Sequence, residues 1–458
     1  MVEYYKNLKG KKVLVVGLGK SGIAAIKALL KFGSKVTIQD SKKQENVDKK
    51  VIDLFEKANI SYFFGEKPED ISEYDLIVVS PGVPLNVDFL VEAKGKGIEI
   101  IGELELAYRC GKGKYIAITG TNGKTTTTSL VGEIFKNAQK ESVVVGNIGV
   151  AVMNEATAAS DDTWLITETS SFQLETISEF KPQVSAILNL TPDHMDRHKT
   201  MEAYGESKAK IMENQDNDQY VVINFDDKEC LKLVSGTKAK VVPFSRIEPL
   251  IFGAFVKDDK IVIINEDEDM IEFCRADELK IPGSHNLENA LAAAAIAYFA
   301  GIDKDVITET LKNFGGVSHR LEFCGEIDGI QFVNDSKGTN PDAAIKAIEA
   351  MKTGIVLIAG GYDKNSNFDS FVDSFGDKVK HVVLLGTTAV KIKEAAERKG
   401  YQNTIMVKDM KACVSEAFRR AETGDTVLLS PACASWDMYN SFEERGDDFK
   451  NCVKELEK

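Results

Sequence analysis

Short apolar runs that close on glycine, each followed by a stretch of helical length, recur along almost the whole chain. KVLVVG, DLIVVSPG, KYIAITG, SVVVGNIG, GIVLIAGG and HVVLLG are the plainest of them. They lack the alternation of a half-exposed strand, so they predict strands buried on both faces. Parallel sheets covered by helices meet that requirement, and the fold class is α/β. At 458 residues the chain exceeds one ordinary core. The runs fall into three blocks, giving expected domains at 1–102, 103–316 and 317–458. NLENALAAAAIAYFAG predicts a helix, and VVPFSRIEPLIFGAFVKDDKIVIINEDEDMIEF reads as a small β-rich decoration of the middle block.

Two turns carry phosphate chemistry. The first block opens with Gly17-x-Gly19-x-x-Gly22 between an apolar strand and a helix, and its second strand ends in Asp40. That is the fingerprint of a dinucleotide-binding unit and predicts a Rossmann-like N-terminal domain. Taken alone it also fits an NAD-dependent oxidoreductase. The second turn, Gly120-Thr121-Asn122-Gly123-Lys124-Thr125-Thr126, joins another strand to another helix. Its spacing departs from the usual phosphate loop, because Ile118 stands where the first glycine belongs. Backbone N–H groups and the helix start still face phosphate oxygens, a lysine reaches the outer phosphates, and the next hydroxyl can ligate Mg²⁺. Two such turns on separate blocks predict two phosphorylated ligands, which a simple dehydrogenase does not need.

Bulk properties narrow the choice. A net charge of −14 argues against a nucleic-acid partner. Residues 1–57 hold 13 Lys against 6 Asp and Glu, which suits a phosphorylated ligand at that end. No run approaches the ~20 apolar residues of a membrane span, so no membrane insertion is expected. MVEYYKNLKGKK has no apolar signal segment. Seven scattered cysteines without a C-x-x-C pair predict a reduced, cytoplasmic protein with neither disulfides nor a zinc site. In the middle block Glu168 ends a strand, where an acid can hold the Mg²⁺ of a bound nucleotide. The next strand runs into Thr191-Pro-Asp193-His194-Met-Asp196-Arg197-His198, a polar cluster placed where open α/β sheets carry their sites.

GTNGKTT, ETSSFQLE and NLTPDHMDRH resemble the central motifs of the Mur ligases, relatives of the folylpolyglutamate synthetases. Tyr204-Gly-Glu-Ser-Lys208, Gly283-Ser-His-Asn286-Leu-Glu-Asn289, Ser318-His319-Arg320 and Asn334-Asp335-Ser336-Lys337-Gly-Thr339 continue the likeness in order. The resemblance implies three domains: Rossmann-like, central P-loop ATPase-like, and Rossmann-like again. LSPACASWDMYNSFEERGDDF is similar to the C-terminal signature of members that add D-glutamate. The activity so implied is ATP-dependent amide formation between UDP-N-acetylmuramoyl-L-alanine and D-glutamate, through an acyl phosphate, by a monomer. Another amino acid or a folate-type substrate is the alternative within the family; an NAD oxidoreductase is the remote one.

The resemblance also implies roles. Gly120 to Thr126, Asn286, Asn289, Arg320 and Asp335 would bind ATP, with Lys124 and Arg320 on its outer phosphates. Thr125 and Glu168 would hold one Mg²⁺, and His194 with a carbamylated Lys208 a second. Leu18, Gly19, Lys20, Ser21, Asp40, Ser41, Asn147, Ser170 and Ser171 would surround the UDP-substrate. Lys337, Thr339, Lys364, Ser435 and Phe442 would form the D-glutamate pocket. Lys124, His194, Lys208 and Arg320 are the catalytic set.

Overall fold

The computed structural model describes residues 4–456 except 48, 58–59, 282, 352–353 and 363–365. Its contacts group the chain into two compact units, Met1–Phe314 and Gly315–Lys458. The unit boundary lies two residues before the one expected from sequence.

The first unit holds two sheets. The N-terminal sheet comprises β1 (Lys12–Val16), β2 (Lys35–Asp40), β3 (Ser61–Phe64), β4 (Leu76–Val79) and β5 (Glu99–Gly102), all parallel in the order β3-β2-β1-β4-β5. The central sheet comprises β6 (Lys114–Thr119), β7 (Ser142–Gly146), β8 (Trp164–Glu168), β9 (Val184–Ile187), β10 (Tyr220–Asn224), β11 (Lys240–Ser245), β12 (Gly253–Lys257), β13 (Lys260–Ile264) and β14 (Met270–Arg275). Its order is β14-β13-β12-β11-β10-β9-β6-β8-β7. The stretch expected to decorate the middle block therefore extends its sheet. β11 and β12 continue the parallel ladder; β13 runs antiparallel to them, and β14, antiparallel to β13, returns to the common direction.

Helix Glu103–Cys110 follows β5 directly, and its fully buried Glu105 accepts the backbone N–H groups of Ser178, Glu179 and Phe180. One carboxylate thus fixes the passage from the first sheet to the second. The second unit is one six-stranded sheet of β15 (Glu322–Ile327), β16 (Ile330–Asn334), β17 (Ile355–Ala359), β18 (Val379–Leu384), β19 (Thr404–Met406) and β20 (Thr426–Leu429). Its order is β15-β16-β20-β17-β18-β19, with only β15 antiparallel. β17 and β20 are buried along their whole length, as their apolar runs require.

The topology leaves a crevice wherever neighbouring strands connect in opposite directions. β1 lies between β2 and β4, and β6 between β9 and β8. Both phosphate turns follow these switch strands. Among the described residues no helix is long and apolar enough to cross a membrane.

Candidate active site

The turn after β1 is held by steric necessity. A Cβ on Gly22 would lie 1.9 Å from the Gly17 carbonyl oxygen, so the helix Lys20–Lys31 can approach the strand only with glycine there. Ser80, at the end of β4, donates to the same carbonyl at 2.9 Å. Asp40, buried at the end of β2, accepts the N–H of Leu18 at 2.7 Å and of Lys42 at 2.8 Å. One oxygen thus holds the turn formed by Leu18, Gly19, Lys20 and Ser21 and the other the bend after β2, while Ser41 beside it is exposed.

After β6, Gly123 takes φ +81° and opens the helix Lys124–Asn137. A Cβ there would lie 2.3 Å from Asn289 Oδ1, which brings the helix Ser284–Phe299 onto the loop. Asn289 Oδ1 also accepts from Thr127, and its Nδ2 donates to Asn286. Beside that helix start lies a cleft of about 570 Å³ lined by Leu279, Ile281 and Leu287 together with Arg246, Asp277 and Ser284. Asn122 and Asn189 exchange amide hydrogen bonds of 2.8 and 3.1 Å, lacing the loop to the segment after β9. Lys124 Nζ donates to the carbonyls of Gly120 and Thr121, both at 2.8 Å. Thr125 and Thr126 are buried at the helix start.

Lys208 lies one strand away and is 1% exposed. Its Nζ donates to the Gly120 carbonyl at 2.9 Å and sits 4.5 Å above the Tyr204 ring. Burial, reinforced by the charge of Lys124, pushes its pKa down to about 7. Glu168 ends β8, level with Ile118 of β6 and Gly146 of β7. Its Oε1 accepts from Asn147 Nδ2 at 2.8 Å, whereas its buried Oε2 has no hydrogen-bond partner. A buried carboxylate oxygen without a donor suits a hard cation, with a neighbouring hydroxyl, phosphate oxygens and water completing the shell. His194, at φ +54°, is half-exposed and tilted against Phe172 at 4.9 Å. Among the described residues no three His, Cys, Asp or Glu side chains converge as a cage, so no metal centre is prebuilt from protein ligands alone. Ser170 caps the short helix Ser171–Leu174, and Ser171 is buried.

In the second unit the segments after β16 and β20 face each other. Asp335 Oδ2 accepts from Ser430 at 2.7 Å, and burial raises its pKa to about 7. Arg320 follows His319, which is buried, takes φ +63° and bonds Asn334 at 3.1 Å. Lys337 Nζ lies 6.0 Å over the Phe442 ring, Thr339 donates its N–H to the Lys337 carbonyl, and Ser435 is buried. Lys364 lies outside the described residues. Sequence reasoning missed Arg445. This side chain is 1% exposed and ties Ser336 to the carbonyls of Cys433 and Ala434. Nothing in EERGDD separates it from its solvated neighbours. None of the seven cysteines forms a disulfide.

Comparison with known proteins covers all three sheets. Residues 11–102 match the Mur ligase MurD-like N-terminal domain, 118–297 the Mur ligase middle domain, and 319–433 the Mur ligase glutamate ligase domain. UDP-N-acetylmuramoylalanine–D-glutamate ligase of a Thermoanaerobacter species is 52% identical over 98% of this chain and 99% of its own. The protein of that name from Clostridioides difficile is 49% identical over 98% and 100%. Among solved structures, UDP-N-acetylmuramate–alanine ligase of Thermotoga maritima superposes with a TM-score of 0.56 at 19% identity, covering 97% and 100% of the two chains. A MurF ligase from the same organism, in complex with ADP, gives 0.55 at 17% identity, over 99% and 98%.

Proposed function

From the premise that this chain belongs to the Mur ligase family, we propose that it joins D-glutamate to UDP-N-acetylmuramoyl-L-alanine, driven by ATP. It is an acid–amino-acid ligase of peptidoglycan precursor synthesis. The observation that carries the amino-acid assignment is the unbroken likeness to D-glutamate ligases through the C-terminal unit, where LSPACASWDMYNSFEERGDDF lies.

The chemistry follows from the reactants. A carboxylate is a poor acyl donor because its leaving group would be oxide. Transfer of the γ-phosphoryl group to the alanyl carboxylate yields an acyl phosphate and ADP. The amine of D-glutamate then attacks the carbonyl carbon, the C–O bond to phosphate breaks, and the amine proton is lost as the amide forms. The partners are all anionic, so cations and oriented N–H groups must offset their repulsion.

In this reading Lys124 leaves the carbonyls it now contacts to meet the β- and γ-phosphates, which the Gly120–Thr126 backbone cradles. Arg320 serves the γ-phosphate and Asp335 the ribose, while Asn286 and Asn289 read adenine, for which Leu279, Ile281 and Leu287 of the neighbouring cleft offer apolar surface. The turn from Leu18 to Ser21, with Asp40 and Ser41, takes the uridine diphosphate, and Asn147, Ser170 and Ser171 face the muramoyl end. Lys337, Thr339, Lys364, Ser435 and Phe442 receive D-glutamate. Mg²⁺ supplies charge neutralisation between phosphates, and the unpartnered Glu168 Oε2 with Thr125 would hold one ion. A carbamate on Lys208, with His194, would hold a second. Support for the carbamate is chemical: burial brings the Lys208 pKa down to about 7, so a substantial share of the amine is neutral near pH 7, the form that captures CO₂. We take the site of action to be the cytoplasm and the acting form to be the monomer.

Phosphate release from ATP in the presence of UDP-N-acetylmuramoyl-L-alanine, scanned over amino acids, tests the assignment. Turnover with D-glutamate and background rates with L-glutamate, L-alanine and diamino acids are expected. Equal rates with L- and D-glutamate would remove the specificity assigned here.

A further inference from the structure

His198 is 7% exposed and touches neither proposed ATP nor amino-acid ligands, yet it joins two segments that matter. Its Nε2 lies 3.0 Å from Ser171 Oγ, three residues beyond Glu168. Its Nδ1 lies 3.4 Å from Ser207 Oγ, the residue before Lys208. The ring is stacked on Phe172 at 5.5 Å and tilted against Tyr204 at 5.0 Å, which fixes its plane.

Ser207 donates its hydroxyl proton to the Ala203 carbonyl, one turn back, at 3.0 Å. With that proton given to Ala203, Ser207 accepts from the imidazole, the arrangement that places the ring proton on Nδ1. Glu175 Oε1, 3.8 Å from Nδ1, favours the same arrangement. Burial lowers the pKa of His198, so the ring is neutral at pH 7 and Nε2 keeps a lone pair. Ser171 then donates to Nε2.

We infer that His198 is a positioning residue: held as the Nδ1–H tautomer, it bridges the Glu168–Ser171 segment to the Lys208 helix and so sets the spacing of the two proposed Mg²⁺-holding groups. This rests on the roles given to Glu168 and Lys208 above. Partners one shell out from a metal commonly change its affinity by 10- to 100-fold when removed.

Two measurements on the whole 458-residue chain test the bridge. The first is long-range ¹⁵N–¹H correlation on histidine-labelled protein, in which the His198 signals among five histidines are found by their loss in His198→Gln. A neutral ring protonated at Nδ1 is expected, and a proton on Nε2 overturns the inference. The second is phosphate release titrated with Mg²⁺. His198→Phe keeps the stacking and removes both bonds, so half-saturating Mg²⁺ should rise about tenfold. His198→Gln offers an amide oxygen to Ser171 and should recover most of that loss. In a Ser171→Ala background the Gln and Phe variants should coincide. Equal Gln and Phe effects with Ser171 present, or an unchanged Mg²⁺ dependence in His198→Phe, also overturn it. Absence of turnover in the unaltered protein would instead count against the ligase reading, while the tautomer measurement still decides the bridge.

Discussion

Lys208 Nζ donates to the carbonyl of Gly120 at 2.9 Å, so an amine on one helix closes over the first glycine of the phosphate loop. Both groups are buried, and the amine pKa falls to about 7. An unfolded lysine titrates near 10.4. Between these values the unfolded chain binds the extra proton, so stability must rise with pH. In CO₂-free buffer the gain from pH 7 to 9 should be about 2 kcal/mol, and Lys208→Met should abolish it. Denaturant melts of the two proteins at both pH values measure this. A parallel slope in both would exclude a depressed Lys208. Bicarbonate added to CO₂-depleted protein should raise turnover in the unaltered chain and leave Lys208→Met unchanged.

Glu168 separates binding chemistry from packing. Glu168→Gln retains an oxygen for the Asn147 bond but removes the charge beside the unpartnered position. Unfolding free energy should stay within about 1 kcal/mol, while phosphate release falls 10²- to 10³-fold, the usual effect of losing a preorganised electrostatic contact. Chelation of Mg²⁺ should silence the unaltered protein and abolish the variant's residual turnover as well, because the second proposed ion does not depend on Glu168. A variant that keeps full turnover would remove Glu168 from the site.

Asp335 titrates in the opposite sense. Its folded pKa of about 7 exceeds the ~3.9 of an unfolded aspartate, so the folded state holds the extra proton between those values. Stability from this group is present below pH 4 and is lost as pH rises through 7. Asp335→Asn should therefore raise the unfolding free energy by about 2 to 4 kcal/mol at pH 8 and show little advantage at pH 4. Chemical melts at the two pH values check the crossover.

Much of this was readable in the sequence, and the failures share a cause. Strands buried on both faces announced themselves as apolar runs, and the Gly120–Thr126 loop could be read because its backbone demands glycine at Gly123. β3, β15 and β19 went unrecognised: each is short or half-exposed and sits at a sheet edge, where only one neighbour constrains it. The burial of Lys208, His198 and Arg445 was equally invisible. A charged or polar residue is spelled the same in solvent and in a core, and only long-range contacts decide which it meets.

Arg445 clamps two loops of the second unit together. Its guanidinium reaches Ser336 Oγ at 2.9 Å and the Ser336 carbonyl at 2.8 Å, and on its other side the carbonyls of Cys433 and Ala434 at 3.1 and 3.2 Å. The next residues on those two segments are Lys337 and Ser435, both assigned to the amino-acid pocket. Burial lowers its pKa to about 10, so it stays charged at neutral pH. A fork of five donors can hold two loops at fixed spacing; the single ammonium of lysine cannot. Arg445→Lys, which preserves the charge, should therefore raise KM for D-glutamate about tenfold or more while KM for ATP changes little. Arg445→Met should cost about 3 kcal/mol of stability as well, because four buried acceptors lose their donor. If Arg445→Lys shifted both KM values together, the spacing of the two loops would not be what this arginine controls.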